Sequence, residues 1–421
     1  MATMQPKKIQ TLFLVLVCIL FQEARTAEAS SFKVKRAINI ATWFTWPRYE
    51  AAPKTGIEWP PYSEQFKLPA RAELAALEKA GFDTVRLPVD PAPFFLFVGA
   101  RKEFVFNRLE QAISLIQSIG LKVIVDVHPN SRHKTWGQYA VVAGLETPAF
   151  NAYAKTIAEF AIRLEPFGTN KIALELINEP RLECKDSEVH KLVAINKRLI
   201  QLVRKKSPDM TLVVSGGCAS SIEGLLSVNP TAFQDDNLIY TFHFYEPFAF
   251  THQGATFIPW TEKYLGAVAW PGHPQNAERT LKQSEEMVAA DKSLGIVERA
   301  TTHANVAVAI MQYYSAYHNR DSITRRLGLV AGWAEKHHIL SSSIFLGEFG
   351  AIKTAPCSDR ITWVRDVRKT AEDYGFSWAI FNLQGPFSIF DDPQTRNLDS
   401  GLLAALGMTA GNATTFASAC K

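Results

Sequence analysis

The strongest constraint on the fold is a regular alternation of short apolar segments with longer amphipathic ones. Eight segments rich in β-branched and aromatic residues have the length of buried strands: 37–44, 82–89, 121–128, 171–178, 211–217, 238–245, 343–349 and 376–382. Segments with helical periodicity lie between them, such as 69–81 and 106–120. Strands that alternate with helices along a chain pair as a parallel sheet.

Eight such units predict a (β/α)8 barrel. The alternative is an open, doubly wound sheet, which usually carries a glycine-rich phosphate-binding turn after its first strand. The stretch ATWFTWPRY at 41–49 contains no glycine, so the barrel is favoured. The chain has 421 residues, of which 47% are hydrophobic, and this is enough for one large core. We expect residues 30–421 to form a single domain.

The first 29 residues have the pattern of an export signal. Lys7 and Lys8 precede an apolar run at 11–21, and small residues follow at 26–29. The apolar run is too short to span a membrane comfortably. A lipoprotein signal would need a small residue before Cys18, where the sequence has valine. We therefore expect a secreted protein, periplasmic or extracellular, without a membrane anchor.

Charge and cysteine content exclude several classes of protein. Removal of residues 1–29 takes away three basic and two acidic residues, which changes the formal net charge from +4 to +3. Because no long basic block is present, we expect no nucleic-acid partner. Four cysteines remain and allow up to two disulfides in three connectivities: Cys184, Cys218, Cys357 and Cys420. No C-x-x-C pair is present, and we expect a monomer without metal or cofactor.

The connection after the sixth predicted strand, about 246–319, is much longer than an ordinary βα loop. It is rich in aromatic residues and contains a helix-like part at 277–295. The βα loops of a barrel surround its active face. We therefore expect this insertion to be a small packed unit that also forms a wall of the binding cleft.

Two predicted strands end in a glutamate at the edge where barrel enzymes carry their sites. The fourth ends Asn178-Glu179-Pro180, and the seventh ends Gly347-Glu348-Phe349-Gly350. Retaining glycoside hydrolysis needs two carboxyl groups about 5–5.5 Å apart, one to protonate the leaving oxygen and one to attack the anomeric carbon. Other strand ends supply polar partners: Arg86, His128, Asn130, His243 and Tyr245.

A second glutamate, Glu175, shares its strand parity with Glu179. In a regular strand the two would lie about 13 Å apart. Glu175 would then be deep in the barrel, where a carboxylate must be paired or protonated. We expect it to be paired and structural.

Four ordered motifs resemble glycoside hydrolase family 5, the cellulase family of retaining glycosidases: VRLPV at 85–89, NEP at 178–180, HFYEP at 243–247 and GEFG at 347–350. The resemblance covers essentially the whole chain after the signal. It implies that Glu179 is the general acid/base and Glu348 the nucleophile.

The resemblance also implies roles for the polar neighbours of this pair. Asn178 would hold the sugar 2-hydroxyl and the nucleophile, while Arg86 and Tyr245 would hydrogen-bond Glu348 and keep it ionised. His128 and His243 would line the central subsite. For its acid role, we expect the pKa of Glu179 to be raised by desolvation and by the charge of its partner.

Aromatic side chains are expected to form platforms for the apolar faces of sugar rings. The candidates are Trp43, Trp46, Trp136, Trp260 and Trp270. The pattern SWAIFN at 377–382 departs from the family, because Phe381 occupies the position of the usual stacking tryptophan. Trp378 matches an earlier tryptophan of that pattern. We expect Phe381 or Trp378 to provide the central platform.

The most favoured activity is that of an endo-β-1,4-glucanase acting on β-linked oligo- or polysaccharides. A β-mannanase, a β-1,3-glucanase and an exo-acting β-glucosidase are alternatives on the same scaffold, and a long sixth loop that closes the cleft would favour exo action. A non-catalytic glycan-binding barrel would lack one of the carboxylates, and both are present. No binding module or linker is visible, which favours soluble glucans over crystalline cellulose.

Overall fold

Eight parallel strands form a closed barrel in the computed structural model, which describes residues 32–408 apart from 52–55, 63–69, 130–132, 134, 260, 393 and 395. The strands follow chain order around the barrel: β1 Arg36–Asn39, β2 Thr84–Val89, β3 Lys122–Val127, β4 Ile172–Glu175, β5 Thr211–Ser215, β6 Leu238–Phe244, β7 Ile344–Phe349 and β8 Ser377–Ile380. β8 closes the barrel against β1. The predicted (β/α)8 fold is confirmed.

Helices connect the strands and surround the barrel: α1 Arg71–Ala80, α2 Ala92–Leu96, α3 Ala100–Gln117, α4 Pro148–Leu164, α5 Asp186–Arg204, α6 Ile222–Leu226, α7 Phe248–Thr251, α8 Ala277–Ala290, α9 Ile296–Ser315, α10 Arg320–Lys336, α11 Cys357–Asp373 and α12 Ser400–Ala405. α1 shows how the sequence determines such a helix. Leu74, Leu77 and Ala80 form its buried stripe, and it ends at Gly81 with a φ of 111°.

The interior of the barrel is apolar in one part and polar in another. Nine buried apolar residues form a cluster of their own inside the barrel: Phe32, Val34, Ala37, Ile124, Ala173, Val213, Ile239, Phe345 and Ala379. Phe32 and Val34 come directly before β1, so this cluster belongs to the end where the strands begin. Buried polar residues, among them Arg86 and Glu175, occupy the part toward the strands' carboxyl ends. The polar part of the interior therefore lies where the strands end.

The fourth strand is shorter than the sequence predicts. β4 ends at Glu175, and Glu179 has a φ of 41°, in the left-handed region. Backbone hydrogen bonds to β5 and β3 continue as far as Asn178, and the chain leaves the extended conformation at Glu179. The premise of one regular strand through both residues was wrong, so the separation of about 13 Å expected along such a strand does not apply.

The predicted insertion after β6 is present as a small helical unit. It contains α7 and an antiparallel pair of helices, α8 and α9, of which α9 was not predicted. Trp270 attaches the unit to the barrel, because its Nε1 donates to Asp366 of α11 at 3.0 Å. Tyr313 of α9 donates to the carbonyl of Ala269 at 2.6 Å. The insertion is thus packed against the outer helices and rigidly anchored.

A disulfide links Cys184, in the loop after β4, to Cys218, directly after β5. This bond excludes two of the three connectivities expected from the sequence. In the remaining one, the other pair is Cys357 and Cys420. Cys357 is also disulfide-bonded, and Cys420 lies outside the described residues. Within the described ranges, no helix has the length and hydropathy needed to cross a membrane. The proposed signal at 1–29 lies outside them.

Candidate active site

Arg86 of β2 lies fully buried at the centre of the polar part of the barrel. Its Nε and Nη2 donate to the two carboxylate oxygens of Glu175 at 2.7 and 2.8 Å. Its Nη2 also lies 3.0 Å from Asp126 Oδ2. Burial acts to lower the pKa of Arg86, but the charges of Asp126 and Glu175 outweigh it and raise the pKa well above its ordinary value. Arg86 is therefore a permanent positive charge beneath the site.

Glu175 has the paired, interior position that the sequence predicts. Its partner comes from β2, with β3 lying between the two strands. Burial raises the pKa of Glu175, and the charge of Arg86 opposes this rise. Because Arg86 also contacts Glu348, Glu175 is connected to the site through one shared guanidinium.

Glu348, on β7, is held from two sides. Arg86 Nη1 donates to its Oε1 at 2.7 Å, and the phenol of Tyr245 donates to its Oε2 at 2.9 Å. Burial and the charge of Glu348 raise the pKa of Tyr245 well above its ordinary value, so the phenol keeps its proton and remains a donor. These are the two contacts that the resemblance implies. They fix the orientation of the carboxylate.

An irregularity between β6 and β7 brings Glu348 beside His243. The pairing register shifts after Phe242, which opposes Leu346, so that His243 opposes Glu348. Gly347 lies at this shift. A Cβ at Gly347 would lie 2.5 Å from Thr241 Oγ1 and 3.4 Å from the His243 ring. The close approach explains why the motif has glycine before its glutamate.

Glu179 faces a histidine and an arginine. Its Oε1 lies 3.0 Å from His243 Nδ1, and Arg181 Nη2 donates to its Oε2 at 3.1 Å. Arg181 Nε donates in turn to the buried Gln138 at 3.0 Å. The acid side of the site is thus positioned by residues from the loops after β3 and β4, while His243 comes from β6.

The pKa values of Glu179 and His243 are shifted in opposite directions. Burial acts to raise the pKa of Glu179, but the hydrogen bond and charge of His243, together with the charge of Arg181, lower it below its ordinary value. Burial acts to lower the pKa of His243, but the charge of Glu348 and the contact with Glu179 raise it. The expected rise in the pKa of Glu179 was therefore wrong for the unliganded site, because two cationic neighbours outweigh desolvation.

Asn178 and His128 form the remaining side of the polar cluster. Asn178 Oδ1 accepts from Arg86 Nη2 at 2.9 Å, and its Nδ2 lies 3.2 Å from His128 Nε2. His128 Nδ1 lies 2.9 Å from Asp126 Oδ2. Burial acts to lower the pKa of His128, but the charge and hydrogen bond of Asp126 raise it. Asn178 is therefore held between Arg86 and His128, with its amide oxygen toward the guanidinium and its amide nitrogen toward the imidazole. Asn130 lies outside the described residues.

The cluster balances its charges. Its carboxylates and its cationic groups are equal in number when both histidines are protonated: Asp126, Glu175, Glu179 and Glu348 against Arg86, Arg181, His128 and His243. This balance offsets the cost of burying charge.

The two candidate catalytic carboxylates are close together. One oxygen of Glu179, one of Glu348 and a ring nitrogen of His243 all lie within 4.8 Å of one another. Three such atoms could also ligate a metal ion, but a histidine with a raised pKa holds its proton and competes poorly for metal. This upper limit on the distance between carboxylate oxygens is compatible with the retaining arrangement, in which the carboxyl groups lie about 5–5.5 Å apart.

Comparison with known proteins agrees with this geometry. The sequence model of the cellulase family, glycosyl hydrolase family 5, matches residues 41–385. The chain belongs to glycosyl hydrolase family 5. It is 24% identical to Endoglucanase C of Acetivibrio thermocellus over 324 residues, which are 76% of this chain and 85% of the relative. It is 26% identical to Cellodextrinase A of Ruminococcus flavefaciens over 303 residues, or 70% and 73% of the two chains.

Solved structures share the fold of this family 5 chain. The Clostridioides difficile cellulose synthase subunit Z superposes with a TM-score of 0.62 at 24% identity, over 89% of this chain and 99% of that one. Thermotoga maritima Cel5A in complex with cellobiose gives a TM-score of 0.61 at 20% identity, over 89% and 97%. As a member of glycosyl hydrolase family 5, the protein is a glycoside hydrolase.

Two of the predicted aromatic platforms of this family 5 enzyme are buried away from the site. Trp378 is fully buried, and its Nε1 donates to Glu372 of α11, outside the barrel. Trp270 is buried in the anchor of the insertion. The predictions that Trp378 and Trp270 contact substrate were therefore wrong. Trp260 lies outside the described residues.

The other predicted platforms remain candidates. Trp46 is 40% exposed, and Trp136 is half-buried with its ring 4.8 Å from that of Phe95. Trp43 is buried, and its Nε1 has no hydrogen-bond partner among the described residues. Phe381 is half-buried, with its ring centroid 6.3 Å from that of Tyr245. Phe381 therefore lies next to the catalytic cluster, as the family pattern implies.

Sequence reasoning missed several residues of the polar cluster, among them Asn39, which accepts from Arg86 Nη1 at 2.8 Å. Arg181 directly follows the NEP motif, and Asp126 precedes His128 by two, so it has the same strand parity. Both signals were visible in the sequence. Gln138 had none, since it reaches the site from an irregular loop.

Proposed function

We propose that this protein is a secreted endo-β-1,4-glucanase that works by double displacement. Glu348 is the nucleophile and Glu179 the general acid/base. The observation that carries this proposal is the close approach of the two carboxylates, with Arg86 and Tyr245 bonded to one and His243 to the other. That asymmetry gives the two groups different protonation behaviour, which the mechanism needs.

In the first step, an oxygen of Glu348 attacks the anomeric carbon while the bond from that carbon to the leaving oxygen breaks. Glu179 gives its proton to the leaving oxygen. In the second step, Glu179 takes a proton from water, whose oxygen displaces Glu348. Arg86 and Tyr245 hold the Glu348 carboxylate in line before attack and receive it again afterwards.

The proton for the first step comes from the pair of Glu179 and His243. Their short contact lets one proton pass between Nδ1 and Oε1, 3.0 Å apart. The charge of Glu348 is one cause of the raised pKa of His243. Once Glu348 is bonded to the sugar this charge is gone, so the pKa of His243 falls. The pair has by then given its proton to the leaving oxygen, and the lower pKa of His243 keeps the pair unprotonated until Glu179 takes a proton from water.

The choice of substrate and compartment rests on separate observations. Relatives named endoglucanase and cellodextrinase support a β-1,4-glucan over the alternatives. The apolar run at 11–21 with its basic and small flanking residues supports cleavage near residue 29 and export. The disulfide between Cys184 and Cys218 supports an oxidising compartment. The domain is then residues 30–421.

Hydrolysis of a substrate panel tests the proposed specificity. We expect purified protein to cleave carboxymethylcellulose more efficiently than mannan or laminarin, with internal cuts that lower viscosity faster than reducing ends appear. Preferred cleavage of mannan or laminarin would contradict the assignment to β-1,4-glucan. Release of only terminal sugars would contradict endo action.

Replacement of Arg181 tests the environment of the acid. In Arg181→Gln, we expect the alkaline limb of the pH profile of kcat/KM to move to higher pH. The charge of Arg181 lowers the pKa of Glu179, so its removal raises this pKa and the acid stays protonated at higher pH. The profile is measured on an aryl β-cellobioside at constant ionic strength. Arg181→Lys retains the charge and is the control, and an unchanged limb in Arg181→Gln would refute this role.

A further inference from the structure

We propose that the insertion after β6 supports an aromatic wall that binds a sugar unit of a neutral glycan beyond the catalytic pair, with Phe257 as its exposed platform. The wall consists of Tyr245, His252, Phe257, Phe381 and Phe387. This inference rests on the proposed hydrolysis of a β-linked glycan and adds a binding site for the same substrate.

The wall is continuous from the catalytic cluster to the surface. The ring of Tyr245, whose hydroxyl bonds Glu348, lies 5.9 Å from that of Phe387 and 5.2 Å from that of His252. Phe257 lies 6.3 Å from Phe387 and 6.4 Å from His252. Phe387 is buried, whereas Phe257 is 51% exposed. The outer end of the wall thus exposes the ring of Phe257. Ring contacts connect it to Tyr245, the hydrogen-bond partner of Glu348.

The wall is uncharged. Residues 247–259, which carry its outer part, contain no acidic or basic side chain apart from His252. His252 stacks on Phe248 at 3.7 Å, and burial lowers its pKa to about 3, so the imidazole is neutral under working conditions. An aromatic surface without charge suits the apolar face of a neutral pyranose and offers nothing to a uronic acid.

The insertion holds this segment in place. Gln253 is fully buried, and its side-chain amide bonds the backbone of Phe250 and Val268 at 2.8 to 3.1 Å. Thr251 Oγ1 donates to the carbonyl of Tyr245 at 2.6 Å, and its own carbonyl accepts from Ile352 at 2.9 Å. These bonds connect the wall to the insertion on one side and to the loop after β7 on the other. A pre-organised platform loses little entropy when sugar binds.

The wall also accounts for the departure from the family at Phe381. The phenyl ring there is smaller than an indole, and it is flanked by Phe387 at 5.8 Å and Tyr245 at 6.3 Å. Phe387 and His252 are buried and support the exposed ring of Phe257. The insertion therefore contributes to substrate binding as well as to packing.

Binding of oligosaccharides to a Glu348→Gln protein tests the inference without hydrolysis. We expect the further change Phe257→Ala to weaken binding of cellohexaose by about tenfold, the scale of one aromatic contact, and to weaken binding of cellobiose much less. Phe257→Trp should restore the affinity. Met311→Ala is the matched control, since Met311 is 62% exposed on α9 of the same insertion, and it should change nothing.

The outcomes separate this inference from the proposed function. The proposed sugar-binding wall would be refuted if Phe257→Ala left the affinity of the Glu348→Gln protein for cello-, manno- and laminari-oligosaccharides unchanged. This would hold even if the wild-type enzyme cleaves β-glucan. Failure to bind any of these sugars would overturn it as well. Binding that depends on Phe257 would uphold it, and absence of hydrolysis by the wild type would then count against the proposed function alone.

Discussion

Glu348→Gln is expected to reduce hydrolysis of every β-glucan by on the order of 10⁵-fold, the scale seen when a covalent nucleophile is removed. An amide cannot form the glycosyl ester, so the first displacement has no nucleophile. The same amide still occupies the space between Arg86 and Tyr245, and the barrel should stay folded. The measurement is kcat on an aryl β-cellobioside, with circular dichroism to verify the fold.

Glu179→Gln is the matched comparison, because the same isosteric change then removes the acid instead of the nucleophile. Its loss should be large on cellotetraose and much smaller on an aryl glycoside whose leaving group needs no proton. Glu348→Gln should be inactive on both. Activity of Glu348→Gln within about tenfold of wild type on either substrate would contradict its role.

Arg86→Met is expected to lower the free energy of unfolding by about 3–5 kcal/mol. Glu175, Asp126 and Glu348 would lose a shared cation in a region that is almost completely buried. Uncompensated buried carboxylates must bind protons or admit water, and both cost stability. Denaturant unfolding at neutral pH measures the change, and loss of activity should accompany it.

Arg320→Met provides the control for this change. Arg320 pairs with Asp373 at 3.1 Å, but both side chains are about half exposed. Its loss should cost no more than about 1 kcal/mol, as for other surface ion pairs. If Arg86→Met proved no more destabilising than Arg320→Met, the central guanidinium would not be what holds the buried carboxylates together.

The barrel could be predicted because its information is local and repeated. Each strand is short, apolar and followed by a helical segment, and the eight units need only close in order. The insertion was recognisable by its length alone. Its second helix was not predicted, and neither was the burial of Trp270, which depends on packing against α11.

Strand parity explains the errors around the last strand. Ala379 belongs to the interior cluster, so its neighbour Trp378 must point outward toward the helices. Phe381 shares the parity of Ala379 and lies near Tyr245. The sequence therefore contained the reason to prefer Phe381 over Trp378.

The protonation of the site could not be read from the motifs. NEP and GEFG identify two carboxylates, but the pKa of Glu179 depends on which cations reach it in space. His243 comes from β6, and Arg181 is oriented by Gln138 from another loop. Only the folded chain brings these groups together, and their combined charge outweighs the effect of burial.

Trapping of the covalent intermediate tests the central claim most directly. A 2-deoxy-2-fluoro-β-cellobioside with an activated leaving group slows the second displacement more than the first, so the glycosyl ester accumulates. Mass spectrometry of the digested enzyme is then expected to find one fluoroglycosyl group, attached to the peptide that contains Glu348. Attachment to Glu179 would contradict the account, and so would release of product with an inverted anomeric configuration and no labelled peptide.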